Sequence, residues 1–245
     1  MTEQPGNTVT VDLKRPTIFL IPCSLYEGVT ETIPAYVLDA VKQCTVFFVE
    51  NERTTRRFLK CIWKEMQIDN YEWHTIHKAE QAVMQEFSNA IKQKKNIGIL
   101  SEAGCPGIAD PGQLLVSKAQ EMGAYVKPLV GPSSILLALM ASGLNGQQFC
   151  FNGYLPIDSA QRKKKIAQLE EEAIKKNMAQ AFIETPFRND AMFNEIISTC
   201  KANTKLCIAA DITGSTEMIQ TKKIQEWKNA KPALHKRPVL FILGE

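Results

Sequence analysis

At 245 residues with 44% hydrophobic content, the chain is long enough to bury a sizeable core, as one large domain or two smaller ones. A formal charge of +3 is too small to announce a nucleic-acid partner, so any such partner must be met by locally concentrated cations. Seven cysteines at irregular spacings, with Cys44, Cys61, Cys150 and Cys207 inside apolar runs, speak against a disulfide framework and read as buried free thiols in a reducing compartment.

Residues 1–14 are polar and lack an apolar leader segment, which predicts a short flexible tail on a cytoplasmic protein with no membrane span. Apolar runs at 17–22, 45–50, 71–76, 97–100 and 125–129 predict strands, separated by helical patterns around 34–43, 53–66, 79–94 and 111–122. This alternation predicts a mostly parallel sheet covered by helices on both faces. After Leu129 the pattern breaks at Val130-Gly131-Pro132-Ser133-Ser134, which opens a helix over 135–142 closed by Gly143. Strand patterns at 149–154, 180–184, 206–212 and 238–243, with helices at about 160–176 and 189–200, predict a second sheet with its own core. The expected organisation is a tail at 1–14, an α/β domain at 15–129 and a second α/β domain at 130–245. Pro128 and Gly131-Pro132 form a stiff connector, and a ligand held by both halves would lie in the cleft there.

The stretch SEAGCPGIADPG at 101–112 follows an apolar strand and crowds three glycines and two prolines into one turn. Glycine lets backbone approach a ligand and adopt positive φ, and proline stiffens the residues between. A tight strand-to-helix turn without a ligand is the alternative, although such a turn needs one glycine. In the following helix Asp110 is expected to cap, Pro111 to take the first position, and Gly123 to supply a left-handed stop.

Two basic elements stand out. Arg53, Arg56 or Arg57, and Lys60 fall on one helical face, and Arg162 to Lys165 begin an exposed helix that continues into Glu170 to Glu172. Both suit phosphates, and both are equally read as solvated helix faces. His74, His77 and His235 are too scattered for a metal site, no CxxC pair is present, and no internal repeat is found.

The loop SEAGCPGIADPG is similar to the signature S-D-A-G-T-P-x-I-x-D-P-G. Together with Pro128-Leu129-Val130-Gly131-Pro132-Ser133, Ala141-Ser142-Gly143-Leu144, Phe149 through Gly153-Tyr154-Leu155-Pro156, and Glu184-Thr185-Pro186-Phe187-Arg188, it makes the chain resemble the tetrapyrrole methylase superfamily. Within that superfamily it looks most like the branch that methylates a ribose 2′-hydroxyl in small-subunit ribosomal RNA. The resemblance implies two α/β domains unlike the Rossmann-type methyltransferases, and the chain lacks GxGxxG after its first strand. It also implies S-adenosylmethionine in the cleft, a homodimer, and the small ribosomal subunit or its RNA as partner. The cofactor contacts it implies are Leu25, Gly104, Cys105, Ile108, Ser134, Ile135, Glu184, Ala209, Ala210 and Pro238. Glu102 or Glu184 suits the ribose hydroxyls or amino group, and Glu184 is equally read as a cap on the Thr185-Pro186 turn.

Methyl transfer from a sulfonium is an in-line displacement, so alignment and exclusion of water matter most. A ribose hydroxyl benefits from a base or hydrogen-bond acceptor, for which Glu50, Glu52 and Asp211 at strand ends are candidates, beside Arg53; each carboxylate is also read as a surface or packing group. Arg53, Arg56, Arg57, Arg162 and Arg188 are the candidate substrate contacts. Against an RNA acceptor, Glu50-Asn51-Glu52-Arg53 replaces E-D-T-R, Ala210 and Gly214 stand at the ends of a segment that is R-E-L-T-K in that branch, and Pro22 through Gly28 departs from P-T-P-I-G-N. Two alternatives follow: methylation of a porphyrin- or corrin-type small molecule, and a non-catalytic module that binds cofactor or RNA.

Overall fold

The computed structural model describes residues 15–76 and 80–245, so the expected tail at 1–14 and His77 lie outside the described residues. The chain divides into two compact units. One comprises the described residues up to Cys23 with Pro34–Val130, and the other comprises Ser24–Ile33 with Gly131–Glu245. The main division falls beside the proline-glycine connector, whereas the assignment of Ser24–Ile33 to the second unit departs from a continuous domain at 15–129. Leu25 explains it, because its side chain packs on the second unit's core.

The first unit contains β1 (Thr17–Leu20), α1 (Tyr36–Gln43), β2 (Val46–Val49), α2 (Glu52–Ile62), β3 (Glu72–Thr75), α3 (Met84–Lys92), β4 (Ile97–Leu100), α4 (Gln113–Glu121) and β5 (Tyr125–Pro128). Its sheet runs β3-β2-β4-β1-β5 with every neighbour parallel. Such strands are covered on both faces, which is why β2 reads VFFV and β4 reads IGIL, with every residue buried. Phe47 stacks on Trp73 on one face, and Phe48 meets Phe87 edge-on in the opposite core with Val46, Ile97 and Leu115. Because all strands run the same way, the segments after β1, β2 and β4 emerge at one edge of this sheet, where α/β folds bind ligands.

The second unit contains α5 (Ser134–Ser142), β6 (Phe149–Tyr154), α6 (Ser159–Lys176), β7 (Ala179–Ile183), α7 (Asn189–Thr199), β8 (Lys205–Ala210), β9 (Met218–Lys223), α8 (Ile224–Trp227) and β10 (Val239–Gly244). Its order is β6-β7-β10-β8-β9, with β6 and β7 parallel and the remaining pairs antiparallel. One face packs Leu169, Phe193 and Trp227 against Phe182 and Phe241 of the sheet, while the other packs Ile135 and Leu139 of α5 against Ala181, Ala209 and Ile242.

Two elements go beyond the sequence expectations and two expectations are corrected. β9 and α8 carry no apolar run, since β9 is an edge strand reading MIQTKK with no fully buried residue. Helix α4 starts at Gln113 instead of Pro111, with Gly112 at its N-cap. Cys61 is exposed and Cys150 half-buried, although Cys23, Cys44, Cys200 and Cys207 are buried free thiols.

Candidate active site

The loop after β4 is fastened to the exit of β1. Cys23 N–H donates to the Gly104 carbonyl at 2.8 Å, and Gly104 N–H donates to the Cys23 carbonyl at 3.0 Å. Gly104, Gly107 and Gly112 take φ of 68°, 78° and 124°, which only glycine adopts without strain. Gly107 N–H donates to the Pro111 carbonyl and Ile108 N–H to that of Cys105, which folds the tip tightly and leaves the Ile108 side chain 54% exposed.

Glu80 performs the capping expected of Asp110. Its Oε1 accepts from Gly112 N–H at 3.0 Å and its Oε2 from Leu114 N–H at 2.9 Å. Asp110 instead sits with Glu50 and Glu102. Burial and the Glu50 charge push its carboxyl up to about 6, with a smaller push from Glu102 and a partial offset from the Ser101 hydroxyl. Glu102 N–H donates to Glu50 Oε2 at 3.0 Å, and Thr54 Oγ1 approaches Glu102 Oε1 at 3.5 Å. The Cys23 thiol is pushed far up by burial, then by Asp110 and Glu50, and burial raises Cys105 as well, so both stay protonated and are poor nucleophiles. In the sequence only its position in a glycine-rich loop at the carboxyl end of a strand marks Asp110 for this rim.

Asn51 caps α2 by accepting from Arg53 N–H and Thr54 N–H. Glu52 is committed within the unit, accepting from Thr75 Oγ1 at 3.0 Å and pairing with Arg56 at 2.7 Å. Arg56 also lies over the Trp73 ring at 5.0 Å. The exposed basic stripe is therefore Arg53, Arg57 and Lys60, without Arg56.

In the second unit, Leu25, Ile135 and Ala209 share one side of the sheet, whereas Ala210 faces the opposite core. Ser134 opens α5, and Pro238 is exposed. Asp211 holds a turn: its Oδ2 accepts from Thr216 Oγ1 at 2.6 Å and from Arg237 Nε at 2.7 Å, while its backbone takes φ 49°. Within that turn, Gly214 lies under the Tyr26 ring, so the two segments that depart from the ribosomal RNA branch touch each other. Buried Glu184 accepts from Thr185 N–H at 2.6 Å and from Arg188 Nη2 at 2.6 Å, the geometry of a local turn cap that also occupies Arg188. Arg162 is a correction to the exposed basic helix. It is 8% exposed, paired with Glu195 of α7, and donates to the Pro156 and Ile157 carbonyls, which keeps its guanidinium inside the fold.

A family profile described as Tetrapyrrole (Corrin/Porphyrin) Methylases matches residues 28–227. The Ribosomal RNA small subunit methyltransferase I of Vibrio cholerae is 28% identical over 89% of this chain and 72% of its own length. The protein of that name from Bacillus subtilis is 29% identical over 84% of this chain, which spans 63% of that relative, and the one from Buchnera aphidicola is 34% identical over 63% of this chain and 54% of its own length. Among solved structures, the methyltransferase CobJ matches at TM-score 0.60 with 15% identity, covering 94% of each chain. A uroporphyrin-III-C-methyltransferase from Thermus thermophilus matches at TM-score 0.57 with 14% identity, covering 94% of this chain and 92% of that one, and these two likenesses show the fold. Among the described residues no helix is long and apolar enough to cross a membrane. With a profile match over most of its length, and as the resemblance in its loops implied, the chain belongs to the tetrapyrrole (corrin/porphyrin) methylases, a family of methyltransferases.

Proposed function

We propose that this protein transfers a methyl group from S-adenosylmethionine to a ribose 2′-hydroxyl of small-subunit ribosomal RNA, in the cytoplasm and as a homodimer. Family membership supplies the reaction class, and the ribosomal RNA methyltransferase names of the relatives support the acceptor.

The observation that carries the cofactor assignment is the rim of the first unit. Three positive-φ glycines without side chains let a ligand approach the loop backbone closely at the carboxyl end of a parallel sheet, and Glu50, Glu102 and Asp110 converge there. The methyl donor carries a sulfonium and an amino group, both cationic, and an added positive charge counters the burial and the Glu50 repulsion that raise Asp110. Exposed Ile108 offers an apolar wall for adenine. The residues fit the cofactor, with Glu102, Gly104, Cys105 and Ile108 as its contacts in this unit. In the second unit Leu25, Ser134, Ile135, Ala209 and Pro238 remain the proposed contacts; Ala210 and Glu184 have the weaker claim, one turned into the opposite core and the other occupied by its turn.

When bound, the cofactor supplies a methyl group activated by its positively charged sulfur. The protein's part is to hold the acceptor in line, exclude water and receive a proton. Asp211 is engaged by Arg237 and Thr216, and Glu52 by Arg56 and Thr75, each through a cation and a hydroxyl, whereas Glu50 takes the Glu102 N–H on Oε2; its Oε1 is the proposed acceptor of the hydroxyl proton, beside exposed Arg53. The test is transfer of labelled methyl from S-adenosylmethionine to isolated small ribosomal subunits and to their extracted RNA. Ribose-linked label in the RNA supports the reading; its absence, with cofactor still bound, overturns the acceptor and points to a small-molecule substrate or a binding module. Sedimentation of the purified chain checks the dimer.

A further inference from the structure

The second unit holds two aromatic rings at its surface that the methyl-transfer chemistry does not use. Phe187, in the turn after β7, is 70% exposed. The exposed His235 ring meets it nearly edge-on, with centroids 6.2 Å apart and planes at 72°. Phenylalanine is ordinarily drawn inside, so an exposed ring held in place needs a reason.

It is held in place. Lys236 N–H donates to the Pro186 carbonyl at 3.0 Å, and Asn189 Nδ2, from a buried side chain, donates to the Arg237 carbonyl at 2.7 Å. The turn carrying Phe187 and the loop carrying His235 are thereby bonded to each other at two points, one before and one after Phe187 and both just after His235. Arg188 is anchored on Glu184 and Arg237 on Asp211, so the flanking backbone is tied to buried carboxylates. Lys236 takes φ 62°, a conformation a lysine keeps only where its surroundings impose it.

The charge of the segment that carries His235 points to the ligand class, because the Phe187 turn adds only Glu184, already paired with Arg188, and Asp190 in the first turn of α7. Between Glu226 and Glu245 the sequence has no carboxylate, but it has Lys228, Lys231, Lys236 and Arg237. The three lysines are exposed. Exposed rings held in place, on a segment rich in exposed lysine, match the requirements of a single-stranded nucleic acid, whose bases stack on aromatic faces while its phosphates meet lysine. An apolar protein segment would gain nothing from those cations.

We infer that Phe187 and His235 form a stacking platform for unpaired bases of RNA, with Lys236 beside the rings, and Lys228 and Lys231 of the same exposed segment, as the cations for its phosphates; this rests on the reading of RNA as the acceptor. The test is fluorescence anisotropy with a short labelled single-stranded oligoribonucleotide of adenosines and uridines, and with an abasic oligonucleotide of the same length. Phe187→Ala should weaken binding of the first by about 5- to 100-fold and leave binding of the second unchanged. Phe187→Trp should keep the affinity, and its added indole fluorescence should be quenched by RNA. Wild-type affinity in Phe187→Ala, or an unquenched indole in Phe187→Trp, overturns the platform. Calorimetric affinity for S-adenosylmethionine checks that the alanine variant is folded. Methyl transfer by the wild type to small subunits separates the two readings. Transfer together with undiminished binding by Phe187→Ala removes the platform alone; no transfer, with stacking intact, removes the acceptor alone.

Discussion

The ring of Tyr26 occupies the space where a side chain on residue 214 would stand: a Cβ there would come within 3.0 Å of three ring atoms. The glycine at 214 and the aromatic at 26 are therefore one arrangement. Gly214→Ala should destabilise the second unit by about 1–3 kcal/mol through overpacking. Tyr26→Ala opens the space, so the double variant should recover part of that loss. Urea unfolding of both single variants and the double variant checks this, and strictly additive losses would refute the coupling.

Asp110 sets a pH dependence of definite sign. Its carboxyl is raised from 3.8 to about 6 in the folded chain. Between those values the folded state keeps a proton that the unfolded chain has released, so this group's contribution to stability falls as pH rises through the window and levels off above it. Asp110→Asn should therefore raise Tm at pH 8 and leave it nearly unchanged at pH 4, as scanning calorimetry would measure. Affinity for S-adenosylmethionine should fall as pH drops below about 6 in the wild type, and Asp110→Asn should lose that dependence.

The basic stripe of α2 separates into two roles. Arg53→Ala with Arg57→Ala should lower RNA affinity and reduce the slope of log affinity against log salt by about 1.4, the value for two lost contacts to a single strand. Arg56→Ala should leave the slope alone and cost stability, because Arg56 is engaged by Glu52 and Trp73. Binding titrations at several salt concentrations distinguish the two.

Arg162→Met should leave Glu195 largely buried without its cation and destabilise the protein by about 3 kcal/mol. RNA affinity per folded molecule should not change. Thermal unfolding and binding measured on the same preparation test both halves of that statement.

What was legible in the sequence was whatever local pattern determines. Fully buried parallel strands such as VFFV and IGIL announce themselves as apolar runs, and the crowded glycines of the loop after β4 announce a backbone at positive φ. What escaped was decided by partners distant in sequence. Edge strand β9 is ordered by its pairing with β8 while reading as a polar segment. Helix α4 takes its cap from Glu80, more than thirty residues away, which no capping pattern around Asp110 discloses. Arg162 looks like one cation in a basic run until α7 brings Glu195 against it. The acidic rim was half visible, because Glu50 ends a predicted strand and Glu102 opens the loop after another, but their convergence on Asp110 depends on sheet order.

The pair of hydrogen bonds between Cys23 and Gly104 also bears on how fast a ligand is captured. A loop stitched to a strand exit at one end and to Glu80 at the other has little ordering left to do when cofactor arrives. The bonded amides of Gly104, Gly107 and Gly112 should be protected from exchange with solvent, and cofactor association should show a single phase, linear in concentration, with no slow step from closure of this segment.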